Sequence, residues 1–182
     1  MSALTLNNAT TYIAQYVVHK GGQVVARLPG IPPGASISVS PPEGFEITAS
    51  TVLEGNTYTS APVTVDSPTC FLAQVKQHAE QGTYEFEVVT MPSSASNQMQ
   101  FEKTSLAPVA FNITRNGAHL QSVVVQDSFT QVTLEISDVY SIYAVINGIT
   151  TDSTTTSNPN ATITAVANAT DLESGYFTLV VS

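Results

Sequence analysis

Short runs in which apolar and polar residues alternate fill the chain. Between Ser36 and Ser40, Ile37 and Val39 are separated by serines; between Thr83 and Val89, Tyr84, Phe86 and Val88 fall on one side and Thr83, Glu85 and Glu87 on the other. A period of two sends successive side chains to opposite faces, so each run predicts a strand with one apolar face. Seven such strands are expected in the first half, over residues 12–19, 23–28, 36–40, 45–47, 58–65, 70–77 and 83–90. Seven more are expected near 108–115, 118–126, 130–136, 139–147, 149–155, 161–167 and 175–182. Gly21-Gly22 and Asn116-Gly117 read as two-residue hairpin turns, because these residues accept a positive φ at little cost.

The strands repeat. Residues 18–47 lie over 113–142 at an offset of 95 without a gap, so that Val18, Val25, Ile37, Phe45 and Ile47 meet Ile113, Leu120, Val132, Tyr140 and Ile142. Near the ends, Gly82 to Val89 matches Gly175 to Val181 at an offset of about 93. Between the halves lies a polar stretch, residues 92–107, which reads as a linker. The expectation is an all-β protein of two tandem antiparallel β-sandwiches, residues 1–91 and 108–182. The run Gly82-Thr83-Tyr84 followed by alternating apolar residues resembles the late strand of bacterial and viral immunoglobulin-like or fibronectin III-like modules. That resemblance implies an immunoglobulin-like fold, from which the chain departs in having no Trp and no Cys pair.

Composition agrees with strands. Val, Ile and Thr together number 55, against 10 Leu and 10% charged residues, which disfavours a helical bundle because β-branched side chains lose rotamer freedom in helices. The net charge is −9, and the only cations besides histidine are Lys20, Lys76, Lys103, Arg27 and Arg115. Five scattered cations in a negative field do not make a phosphate-binding face, so nucleic acid is excluded as a partner. No run of 18 apolar residues exists to span a bilayer as a helix. Met1 to Leu6 shows neither a basic nor an apolar leader segment. A cytosolic chain, a mature form without its leader, a chain exported without a cleavable signal, or a virion component begins in this way.

Catalytic motifs are missing: there is no Gly-x-Ser-x-Gly, His-Glu-x-x-His, Cys-x-x-Cys or Gly-rich phosphate loop. The single Cys70 sits in an apolar run and reads as a buried hydrophobe. His19, His78 and His119 do not fall at metal-ligand spacing, and Asp171 with Glu173 offers too few oxygens for a calcium site. No metal and no cofactor is expected. Glu85 and Glu87 read as a solvent-facing edge. Four sequons stand at Asn8, Asn112, Asn160 and Asn168, where ten Asn in a Ser- and Thr-rich chain yield two or three by chance, so glycosylation is not indicated without a secretory signal. The segment from Thr150 to Thr170 is rich in threonine and carries one charge. It reads as an exposed loop followed by a half-buried strand.

These readings point to a non-enzymatic structural or adhesive protein of a virion or cell surface, or one that assembles with itself. A carbohydrate-binding module and a β-pore-forming toxin-like protein are the alternatives. Sugar rings stack on exposed aromatics, for which Tyr12, Tyr16, Tyr58, Tyr140 and Tyr143 are the candidates. The last strand, with Tyr176, Phe177, Leu179, Val180 and Val181 and no charge, is the candidate association edge for a protein partner or a second copy.

Overall fold

The computed structural model describes residues 3–40, 44–168 and 176–182. The calcium candidates Asp171 and Glu173 lie outside them. Every regular element described is a strand, as the alternation predicts. The first nine are β1 (Leu4–Asn8), β2 (Ala14–Lys20), β3 (Gln23–Ile31), β4 (Ser36–Val39), β5 (Phe45–Leu53), β6 (Asn56–Thr59), β7 (Val63–Val65), β8 (Thr69–His78) and β9 (Thr83–Pro92). The second nine are β10 (Gln98–Lys103), β11 (Val109–Arg115), β12 (Ala118–Val125), β13 (Val132–Glu135), β14 (Tyr140–Ile146), β15 (Ile149–Thr150), β16 (Thr154–Thr156), β17 (Thr162–Ala167) and β18 (Phe177–Val181). They form four open sheets, an all-β architecture consistent with a β-sandwich. No helix among the described residues is long and apolar enough to cross a membrane.

Two compact units divide the chain, and neither is one half of it. An inserted unit comprises Glu43–Ile136; a terminal unit joins Met1–Pro42 to Ser137–Ser182. The inserted unit holds one sheet in the order β12-β11-β5-β6, with β7 also paired to β5, and a second in the order β13-β10-β8-β9. Only β10 and β8 run parallel. Alternate residues turn inward: Ile47 and Ala49 from β5, Phe71 and Ala73 from β8, Met99 and Phe101 from β10, Val109, Phe111 and Ile113 from β11. Phe101 stacks on Phe71 with ring centres 5.2 Å apart and meets Phe111 of the other sheet at 5.1 Å, so the two sheets close over an aromatic core.

The terminal unit has the sheets β18-β17-β1-β4 and β15-β14-β2-β3, with β16 also paired to β14 and only β1 and β17 parallel. Tyr16 joins them. Its side chain is fully buried, and its hydroxyl donates to the Asn7 carbonyl at 2.6 Å and accepts the Ala165 N–H at 3.1 Å.

The expected boundary at residues 92–107 therefore needs correction. Residues 98–103 form β10, and Met99 and Phe101 lie in the core. The polar run Ser93–Asn97 conceals the alternation that starts immediately after it. Strands of both halves share every sheet, so tandem halves do not describe the molecule. Ile37, expected inside, is 37% exposed, because β4 lies at the end of its sheet.

The duplication, in contrast, is visible in the pairing. Strand by strand, β1–β9 correspond to β10–β18. Replacing each strand by its counterpart turns β13-β10-β8-β9 into β4-β1-β17-β18, and β12-β11-β5-β6 into β3-β2-β14-β15, which are the two sheets of the terminal unit. Register agrees as well: Val109 pairs with Thr51 and Ala14 with Ile146, Ile113 with Ile47 and Val18 with Ile142, Met99 with Leu134 and Leu4 with Val39. Each unit is thus built from the first four strands of one repeat and the last five of the other. The two repeats have exchanged halves within one chain.

Candidate functional site

In the terminal unit, β2 begins after Thr11–Ile13, and β14 turns into β15 through Asn147-Gly148, with φ of 51° and 76°. Two adjoining grooves lie there. One, of about 580 Å³, is lined by Thr11, Tyr12, Ile13, Gln15, Val145, Asn147 and Gly148; the other, of about 340 Å³, by Tyr12, Asn147, Ile149, Ala167, Asn168, Tyr176 and Phe177. Tyr12 and Asn147 belong to both. Tyr12 is 46% exposed and Tyr176 58% exposed. Tyr12 is braced edge-on against the buried Phe177, at 5.9 Å between ring centres. The Asn168 N–H donates to the Tyr176 carbonyl at 2.8 Å, fixing the backbone beneath that ring. No lining residue carries a charge.

The inserted unit has a groove of about 350 Å³ at the corresponding place, lined by Ser50, Thr51, Val52, Thr57, Pro108, Ala110 and Val124. At the offset of 95, Ser50, Val52, Pro108 and Ala110 correspond to Val145, Asn147, Ile13 and Gln15. The chemistry differs between the two copies. Where the terminal unit places Tyr12, Gln15 and Asn147, the inserted unit has Ala107, Ala110 and Val52. An aromatic face with two amides is available in one groove; the other is lined by small apolar and hydroxyl side chains, with no aromatic ring and no amide.

Of the tyrosines expected to face a ligand, only Tyr12 enters this site. Tyr16 and Tyr140 need correction: both are buried and present no ring face to solvent, because β2 and β14 direct them into the core. Burial pushes the Tyr16 pKa up to about 12, opposed by its hydrogen bond to the Ala165 backbone. Tyr58 is half-buried edge-on to Tyr84, and Tyr143 lies half-buried against His19 with ring centres 6.0 Å apart. Thr11, Gln15, Asn147, Ile149 and Asn168 were not foreseen. Thr11, Gln15, Asn147 and Ile149 converge through the pairing of β2 with β14, which joins distant parts of the sequence, and Asn168 comes from the end of β17 in the other sheet.

The last strand is an edge. β18 ends its sheet, with Tyr176, Val180 and Val181 exposed, Leu179 half-buried and Phe177 buried. Its counterpart β9 is also an edge but carries charge: Glu87 accepts from Gln74 and pairs with Lys76, and Glu85 lies 2.9 Å from His78. The hydrogen bond from Lys76 holds the Glu87 carboxyl below the usual carboxylate range. Val180 has no such charge.

Cys70 is buried, and desolvation followed by the charge of Glu102 raises its thiol pKa. No cluster of three or more His, Cys, Asp or Glu side chains stands at metal-binding distance among the described residues. No protein-family model, curated protein or solved structure matches the chain.

Proposed function

We propose that the chain is a non-enzymatic, adhesive β-sandwich protein that holds a neutral carbohydrate in the Tyr12–Tyr176 groove of its terminal unit. The observation that carries this reading is the difference between equivalent grooves: one of the two copies has an exposed tyrosine and two amides where the other has none. A pyranose ring offers apolar C–H faces for stacking on Tyr12 and Tyr176, and its hydroxyls match the donors and acceptors of Asn147, Gln15 and Thr11. An uncharged lining suits an uncharged ligand. The immunoglobulin-like reading belongs to this proposal too, and rests on the two facing sheets of each unit and the Gly-Thr-Tyr run opening β9.

A glycan array probed with the full chain tests this reading. Binding to neutral glycans is expected, with Tyr12→Ala weakening it at least tenfold and Tyr58→Ala leaving it unchanged. An array without signal, or binding indifferent to Tyr12→Ala, would sink the proposal.

A second reading, docking of a protein partner on the inserted unit, is favoured by one observation. Leu106 and Phe129 are 94% and 88% exposed, and Phe129 holds φ at 62°, a conformation that is costly for a bulky residue. Lys103 ties the two segments together: its ammonium donates to the Leu106 carbonyl at 3.4 Å, and its carbonyl accepts the Phe129 N–H at 3.2 Å.

A further inference from the structure

The exchange of halves has a consequence for how copies of this chain meet. The inserted unit is continuous in sequence, from Glu43 to Ile136, whereas the terminal unit is assembled from the two ends of the chain. Among the described strands, its first part, β1–β4, and its last part, β14–β18, pair along β1 against β17 and β2 against β14. Either part carries one side of a complete core, with Leu4, Leu6, Tyr16 and Val18 on one and Ile142, Ala144, Ile163 and Ala165 on the other. Neither part buries that surface alone.

We infer that a second copy of this chain can complete the terminal unit in trans, β1–β4 of one copy pairing with β14–β18 of the next. The molecule already displays the transfer once. Taken as separate protomers, the two repeats form a reciprocally exchanged dimer, and the connection between β9 and β10 makes it a single chain. The interface formed in trans is the same interface, residue for residue, so local pairing does not discriminate between cis and trans. Concentration does. Ends tethered to the same inserted unit see each other at an effective concentration on the order of 1 mM, so dilute chains close on themselves by roughly a thousandfold at 1 µM. Copies packed near 1 mM, or folding side by side, join into closed rings or open chains with inserted units as the links.

Single-cysteine variants test this in the full-length protein. Ser141 pairs with His19 across β14 and β2, and both are partly exposed. In a Cys70→Ala background, one copy carries His19→Cys and the other Ser141→Cys. The two are mixed, unfolded, and refolded together under mild oxidation at about 1 µM and near 1 mM, the two sides of the estimated crossover. The expected result is a disulfide-linked heterodimer that rises at least tenfold between these concentrations and exceeds the homodimers formed by either variant alone. Sedimentation of wild-type chain refolded at the same concentrations gives a reading that needs no disulfide. Monomer at low and closed oligomers at high concentration support the inference. Monomer at every concentration, or cross-linking no more frequent between 19 and 141 than between like positions, overturns it.

Discussion

Asn8 and Lys103 stand at the same place in the two repeats, at the ends of β1 and β10, and both are buried. Each ties down the loop that follows its strand. The Asn8 amide donates to the carbonyls of Tyr12 at 2.7 Å and Ile31 at 2.8 Å, and its side-chain oxygen accepts from the Thr10 hydroxyl at 2.7 Å. The Lys103 ammonium donates to the Ser105 carbonyl at 2.8 Å and more distantly to the Ser128 hydroxyl at 3.4 Å. Even the next contact is shared, since the hydroxyl oxygens of Thr10 and Ser105 lie 3.1 Å and 3.2 Å from the carbonyl oxygens of Tyr12 and Ala107. Different side chains thus perform one task in the two units.

From this equivalence, Asn8→Ala is expected to destabilise the terminal unit and Lys103→Ala the inserted unit, each by about 2–3 kcal/mol, the cost of leaving buried carbonyls without donors. Urea unfolding followed by amide exchange resolves the two units. Each variant should accelerate exchange only in its own unit; equal acceleration in both would contradict the assignment.

Tyr16 makes a pH prediction. Its folded pKa of about 12 exceeds the ordinary value of 10.0. The stabilisation from keeping this phenol neutral is fully present below pH 10 and is lost as pH rises from there through 12, by up to about 2 kcal/mol. Tyr16→Phe removes this alkaline slope while costing about 1 kcal/mol at neutral pH, because the hydroxyl bridges Asn7 and Ala165. Phe111 at the equivalent position shows that a phenylalanine fits that place in the fold. Stability curves of the two proteins that run parallel from pH 9 to 12 would refute the role given to the hydroxyl.

Positive φ at two side-chain-bearing positions predicts stabilising substitutions. Phe129, at φ 62°, corresponds to Gly34, at φ 74°, and Glu54, at φ 50°, precedes the glycine of its hairpin turn as Asn147, at φ 51°, does in the turn between β14 and β15. Phe129→Gly and Glu54→Asn are each expected to raise stability by about 0.5–1 kcal/mol by relieving the left-handed backbone. Thermal unfolding checks both. A lowered midpoint for Phe129→Gly would show that its ring makes a contact worth more than the strain.

Buried Cys70 is expected to resist thiol reagents in the folded protein and to react at once in denaturant, because both exposure and thiolate fraction are low. Rapid labelling of the native chain would contradict the burial of Cys70 in β8.

Strands were legible in the sequence because alternation is a local property. Ile47, Ile113 and Ile142 occupy inward positions wherever their strand ends up, and the parity of the repeat holds in the pairing registers. The division into units was not legible. A repeat states that β5 and β14 are equivalent partners for β2, and the sequence of β2 fits either, so local pattern cannot select between tandem and exchanged halves. β10 was hidden for a simpler reason: Gln100, Glu102 and Lys103 give it the composition of a linker, although Gln100 and Lys103 are buried through hydrogen bonds. The groove depended on that missing step. Tyr12 stood out as an aromatic, but Asn147 joins it only when the chain ends share a sheet.

Exchanged and tandem halves place different residues opposite His19, and two cysteine variants distinguish them. With exchanged halves His19 on β2 pairs with Ser141 on β14; with tandem halves it pairs with Glu46 on β5, as its counterpart Thr114 does in the inserted unit. Directly opposed residues on antiparallel strands lie within disulfide reach. In a Cys70→Ala background at micromolar concentration, the chain carrying His19→Cys and Ser141→Cys is predicted to close an intramolecular disulfide, and the chain carrying His19→Cys and Glu46→Cys to remain reduced. Closure of the second pair and not the first would contradict the account.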